Sequence, residues 1–133
     1  MGEKINYGYQ KTVSKLFKVV DTALRDAMAE IGFRIITEID VQKTFKEKLD
    51  IDYIKYRILG ACNPTLAKQA LDHQPEVGML LPCNVIFWEN EDGTVTISAV
   101  DAEQQLKATD QEDLIQLGRV VDGLLRQAVD SIL

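Results

Sequence analysis

Two stretches of this chain repeat their apolar residues in steps of three and four, and they enclose a region that alternates in steps of two. The first carries Val13, Leu16, Phe17, Val20, Leu24, Ala27, Met28 and Ile31, and the second Leu114, Leu117, Val121, Leu124, Leu125, Ala128 and Ile132. Each spacing draws an apolar stripe down one side of a helix, and such a stripe has to be buried against another element. Gly32 follows the first stripe where a C-cap glycine belongs. Asp110 precedes the second as an expected N-cap, with Glu112 and Asp113 in the first turn, where acidic side chains favour the helix dipole.

The remaining segments read as strands. Ile5, Tyr7 and Tyr9 alternate with polar neighbours, as do Phe33, Ile35, Thr37 and Ile39, and then Ile54, Tyr56 and Ile58. Asp40 is positioned to cap a short helix through Leu49, and Asn63 and Pro64 to open another over residues 66–71 that Pro75 and Gly78 end. Residues 79–89 give a further strand, joined through the turn residues Asn90 to Gly93 to a hairpin partner carrying Val95, Ile97 and Ala99. Residues 101–109 are polar and are expected to be irregular. Five strands and two long helices, with both stripes facing the same side of a mostly antiparallel sheet, make a two-layer α+β fold. One strand breaks the alternation: Ile86 and Trp88 are apolar between apolar Val85 and Phe87. A strand apolar on both faces is covered on both, so Ile86 and Trp88 are interface candidates.

The 133 residues, 46% hydrophobic and 27% charged, are expected to form a single domain over 1–133. A net charge of −6 argues against nucleic acid and anionic membranes as partners, because phosphate contacts need clustered Lys and Arg. No apolar run approaches bilayer length, and Met1-Gly2-Glu3-Lys4 does not begin a signal peptide. A cytoplasmic location is the expectation, and there two cysteines do not form a permanent staple.

The unusual chemistry lies between Gly60 and Asn84, which hold both cysteines, the single histidine and all three prolines. Cys62-Asn63-Pro64 ends one strand and Pro82-Cys83-Asn84 starts the next. Alternation puts Cys62 in phase with Tyr56 and Ile58, read as the core phase, and Cys83 in phase with Val85 and Phe87. If the two strands are antiparallel neighbours, both cysteines lie at one sheet edge; a parallel crossover would separate them. Cys62, Asn63, Cys83 and Asn84 are therefore the candidates for a ligand or thiol site. The helix start after Cys62 suits a thiolate or a bound anion, whereas a small, commonly buried apolar role explains each cysteine equally well. Cys62, His73 and Cys83 together would make three metal ligands, but the segment has neither Cys-x-x-Cys nor His-x-x-x-His, so no metal site is expected.

Leu59-Gly60-Ala61-Cys62-Asn63-Pro64, Pro75 and Gly78, Leu80-Leu81-Pro82-Cys83-Asn84-Val85, and Gly32-Phe33 followed by Glu38-Ile39-Asp40 resemble the pattern of domain-of-unknown-function family 302. The resemblance implies a β-α-β4-α domain whose curved antiparallel five-stranded sheet is similar to the halves of TATA-binding proteins. It also implies a homodimer, and cysteines that share one sheet edge. No activity is established for the family, and the fold likeness does not carry DNA binding to an acidic chain. The expected function is that of a small cytoplasmic ligand-binding or sensing protein with its site near the two Cys-Asn segments. A thiol-dependent enzyme using Cys62 or a Cys62/Cys83 redox pair, and a structural interaction module, are the alternatives. Ligand, cofactor and reaction are not specified by the sequence.

Overall fold

Along the chain run β1 (Glu3–Ile5), β2 (Gly8–Val13), α1 (Phe17–Glu30), β3 (Arg34–Asp40), α2 (Val41–Leu49), β4 (Tyr56–Cys62), α3 (Pro64–His73), a 3₁₀ segment (Pro75–Leu80), β5 (Cys83–Glu89), β6 (Val95–Val100), α4 (Ala102–Lys107) and α5 (Glu112–Asp130). These elements come from a computed structural model that describes residues 1–133. The six strands form one sheet in the order β1-β2-β6-β5-β4-β3, with every neighbouring pair antiparallel.

The sixth strand corrects the expected five. The first alternating segment folds back on itself, pairing Ile5 with Gly8, and Tyr7 stands 72% exposed at the turn. Alternation continued across that turn, so the reversal left no mark in the pattern. Val13 likewise ends β2 opposite Val95 instead of starting α1. Two further boundaries differ: Met79 lies in the 3₁₀ segment, and the region expected to be irregular after Asp101 contains α4. There the Asp101 carboxylate accepts from the Gln104 N–H at 2.9 Å, and Ala102 and Leu106, four apart, are both buried. Asp110 has φ of 53° and precedes the true cap, Gln111.

Local signals held elsewhere. Gly32 has φ of 84°, and the N–H groups of Gly32 and Phe33 donate to the carbonyls of Ala29 and Met28, which is the Schellman closure of α1. Asp40 caps α2 by accepting from the Lys43 N–H at 3.0 Å. Gly93, with φ of 85°, forms the β5–β6 turn.

Tyr9 and Val13 of β2, Val95, Ile97 and Ala99 of β6, Val85 and Phe87 of β5, and Leu59 and Ala61 of β4 are buried in one 22-residue cluster with α1 and α5. Val20, Leu24 and Met28 are the central α1 members, and Val121, Leu125 and Val129 those of α5. The inward phase of β4 is thus Leu59 and Ala61, one residue out of step with the expectation that placed Ile58 and Cys62 there. Arg57 explains the misreading. It occupies the inward phase at the strand's start, where its guanidinium lies 3.0 Å from Glu38, 3.9 Å from Asp21 and 5.8 Å from the centre of the Phe17 ring. A charge satisfied in this way takes an inward position that alternation assigns to solvent. A second cluster joins Ala70, Val77, Leu106 and Leu114 from α3, the 3₁₀ segment, α4 and α5. No helix is long and apolar enough to cross a membrane.

Candidate functional site

The two Cys-Asn segments meet at one end of the sheet. In the antiparallel β4–β5 ladder Ala61 lies opposite Cys83 and Gly60 opposite Asn84. The chain leaves the sheet after Cys62, forms α3 and the 3₁₀ segment, and returns at Cys83. The Asn63 side chain starts this excursion by accepting from the Leu66 N–H at 3.1 Å, with Pro64 in the first helical turn. Gly60 permits its close return: a Cβ there would stand 2.0 Å from Thr37 Oγ1 and 2.7 Å from Pro82 Cγ.

The excursion packs on the main core through Leu66 and on α4 and α5 through Ala70 and Val77, and a cavity of about 300 Å³ remains beside these contacts. Leu66, Ala67, Ala70 and Leu71 of α3 and Leu80 and Leu81 line one side. Ala102 and Leu106 of α4, Leu117 and Val121 of α5, and Phe33, Ile36 and Ala61 complete the apolar wall. No charged side chain lines it. The polar groups are few: the two thiols, the Asn63 amide and the Gln105 amide. The half-buried Gln105 side chain makes no hydrogen bond within the protein and its amide is open to solvent, whereas Asn63 Oδ1 is engaged by the α3 cap.

The cysteines differ in setting. Cys83 is 8% exposed, and burial, with Cys62 nearby as a lesser cause, pushes its thiol up to about 11. It is a neutral thiol at ordinary pH, the opposite of an activated nucleophile. Cys62 is half-buried and follows Gly60 in the outward phase of β4, while Cys83 follows the inward phase of β5. The thiols reach one cavity from strands whose side chains alternate out of step, and both are free. Asn84 is exposed, with its side chain in the opposite phase to Cys83, and it does not line the cavity. His73 also lies outside it, exposed, with Nε2 2.8 Å from Gln111 Oε1. No three His, Cys, Asp or Glu side chains converge in an arrangement that could hold a metal ion. Of the candidate site residues singled out in the sequence, Cys62, Asn63 and Cys83 line this cavity, and its other lining residues carry no mark of a site in the sequence beyond a small-residue face on α3 at Ala67 and Ala70. Leu66 and Gln105 come from separated segments.

Ile86 and Trp88 lie in the opposite phase of β5 to Val85 and Phe87, which pack with α1 and α5. Trp88 is stacked on Tyr56 with ring centres 5.8 Å apart and planes 8° from parallel, and its Nε1–H donates to Asn90 Oδ1 at 2.9 Å. Both residues are half-buried. From β2 to β4 this face presents Gly8, Gln10, Thr12, Thr96, Ser98, Val100, Asn84, Ile86, Trp88, Tyr56, Ile58, Gly60 and Cys62. None of them is charged, although charged residues make up 27% of the chain.

No curated protein matches the sequence. The fold is similar to the crystal structure of an uncharacterized conserved protein DUF302 from Bacillus stearothermophilus, with a TM-score of 0.87 and 22% sequence identity over 95% of this chain and 98% of that one. Neither this neighbour nor the family description specifies a function. The family model described as "Domain of unknown function DUF302" matches residues 9–132, and the chain belongs to that family.

Proposed function

We propose that this protein binds a small organic ligand in the cavity beneath α3. The observation that carries this reading is a roughly 300 Å³ apolar space with a few convergent polar groups, which is the usual form of a small-molecule site. Its floor is formed by Cys62, Asn63 and Cys83. The raised Cys83 thiol supports a binding role over use of Cys83 as a nucleophile. NMR titration of the ¹⁵N-labelled protein with indole tests the reading. Saturable shifts are expected at the amides of Cys62, Leu66, Cys83 and Gln105, and their absence at millimolar indole would overturn it.

The same reading treats residues 1–133 as one cytoplasmic domain with two layers, a curved sheet and α1 and α5 on one side, in an arrangement like that of TATA-binding-protein halves. It pairs two copies through the uncharged central part of the sheet face around Ile86 and Trp88, which lies between Glu3 and Arg34 on the edge strands. The stacked Tyr56–Trp88 pair supports that pairing, since aromatic residues without charged neighbours typify interface centres. Sedimentation velocity of Trp88→Glu is the check: the wild type should sediment as a dimer and the variant as a folded monomer. An unchanged sedimentation coefficient would exclude this face.

A further inference from the structure

We infer that the ligand of the α3 cavity is a compact, uncharged, largely apolar molecule with a single polar end, held there by the free amide of Gln105. This deepens the binding reading above and rests on it. The walls carry no Asp, Glu, Lys, Arg or His, and Cys83 is kept neutral by burial. A carboxylate, phosphate or ammonium group placed against this lining would lose part of its water and find no countercharge, which weakens its binding relative to an uncharged group. The cavity also lacks a set of three His, Cys, Asp or Glu side chains arranged to hold a metal ion.

Size limits the ligand further. At roughly 30 Å³ for each water-sized group, the cavity holds about ten such groups. A single ring or a short chain fits this space, and a nucleotide or a long acyl chain would extend beyond it. Gln105 supplies the polar selectivity. It lies on α4 beside Leu106, its amide makes no hydrogen bond inside the protein, and it can both donate and accept. The α3 side offers little competing polarity, since Asn63 Oδ1 is already committed to the Leu66 N–H. An amide, ketone or alcohol group on an otherwise apolar body is the complementary chemistry.

Benzamide and benzoate share ring and head size and differ in charge, so paired NMR titrations of the full chain separate the possibilities. Benzamide is expected to shift the amides around Leu66, Cys83 and Gln105 saturably, with benzoate weaker by about tenfold or more. Benzoate binding as tightly as benzamide would overturn the uncharged-ligand inference while leaving the binding reading intact. If neither compound, nor indole, shifts these residues, the binding reading itself fails. Gln105→Leu, a half-buried apolar substitution that spares the core, is expected to weaken benzamide by about tenfold and leave toluene unchanged. Benzamide affinity unaltered by this variant would remove Gln105 from the site.

Discussion

Ala67→Leu tests whether the space beneath α3 is truly open. Ala67 lies on the cavity-lining side of α3, and leucine is nearly as good a helix former as alanine, so intrinsic propensity contributes little. The substitution adds about three carbon groups, each worth roughly 0.8 kcal/mol when fully removed from water, for an upper bound of about 2.4 kcal/mol. Ordering the leucine side chain costs about 0.5–1 kcal/mol. Ala67 is half-buried, so part of the added surface stays wet, and a net gain of about 1 kcal/mol is the expected result. Urea unfolding would show a raised midpoint with an unchanged slope, and thermal unfolding a rise of about 4 °C. Indole binding should be lost in the same variant. A loss of 1–3 kcal/mol, the usual cost of overpacking, would mean that the space beside Ala67 is already filled and that no cavity exists there.

Two other expectations concern titratable groups. Because burial raises Cys83 to about 11, a thiol reagent at neutral pH should label Cys62 well before Cys83, and Cys83 labelling should climb with pH toward that value; rapid, pH-independent labelling of Cys83 would contradict its burial. Asp130 accepts from the Gly2 N–H at 2.7 Å and from the Tyr9 hydroxyl at 2.8 Å, and these bonds hold its carboxyl below the usual range. A depressed acid stabilises the fold above its unfolded pKa and loses that contribution as pH falls through its folded pKa. Asp130→Asn should therefore cost about 1 kcal/mol at pH 7, after allowance for solvent screening, and progressively less as pH falls below the ordinary carboxylate range, by denaturant titration. An equal cost at every pH would assign the effect to packing.

The features that could be read from the sequence are those that nearby residues determine. The Schellman closure at Gly32, the caps at Asp40 and Asn63, the turn at Gly93 and the stripes of α1 and α5 each depend on a few neighbours. Features set by distant partners leave a misleading local pattern or none. The inward position of Arg57 depends on Asp21 and Glu38, elsewhere in sequence, and its ion pairs shift the apparent phase of β4. The pairing of β2 with β6 brings together residues nearly ninety positions apart and left no local trace. The site shows the same division. The two Cys-Asn steps, with prolines beside them, mark a strand end and a strand start that the β4–β5 ladder brings together. A cavity is the space that several elements fail to fill, so its walls from α3, α4 and α5 emerge only once those elements have packed.

Xenon is the most direct probe of an apolar, ligand-sized space between α3 and the main core, because it enters such cavities through dispersion contacts alone. Diffraction from crystals held under xenon gas should show a strong peak bounded by Leu66, Leu80, Leu106 and Cys83, with the surrounding side chains unmoved. Density in which these side chains close against one another, with no xenon between them, would contradict the cavity and the binding function proposed for it.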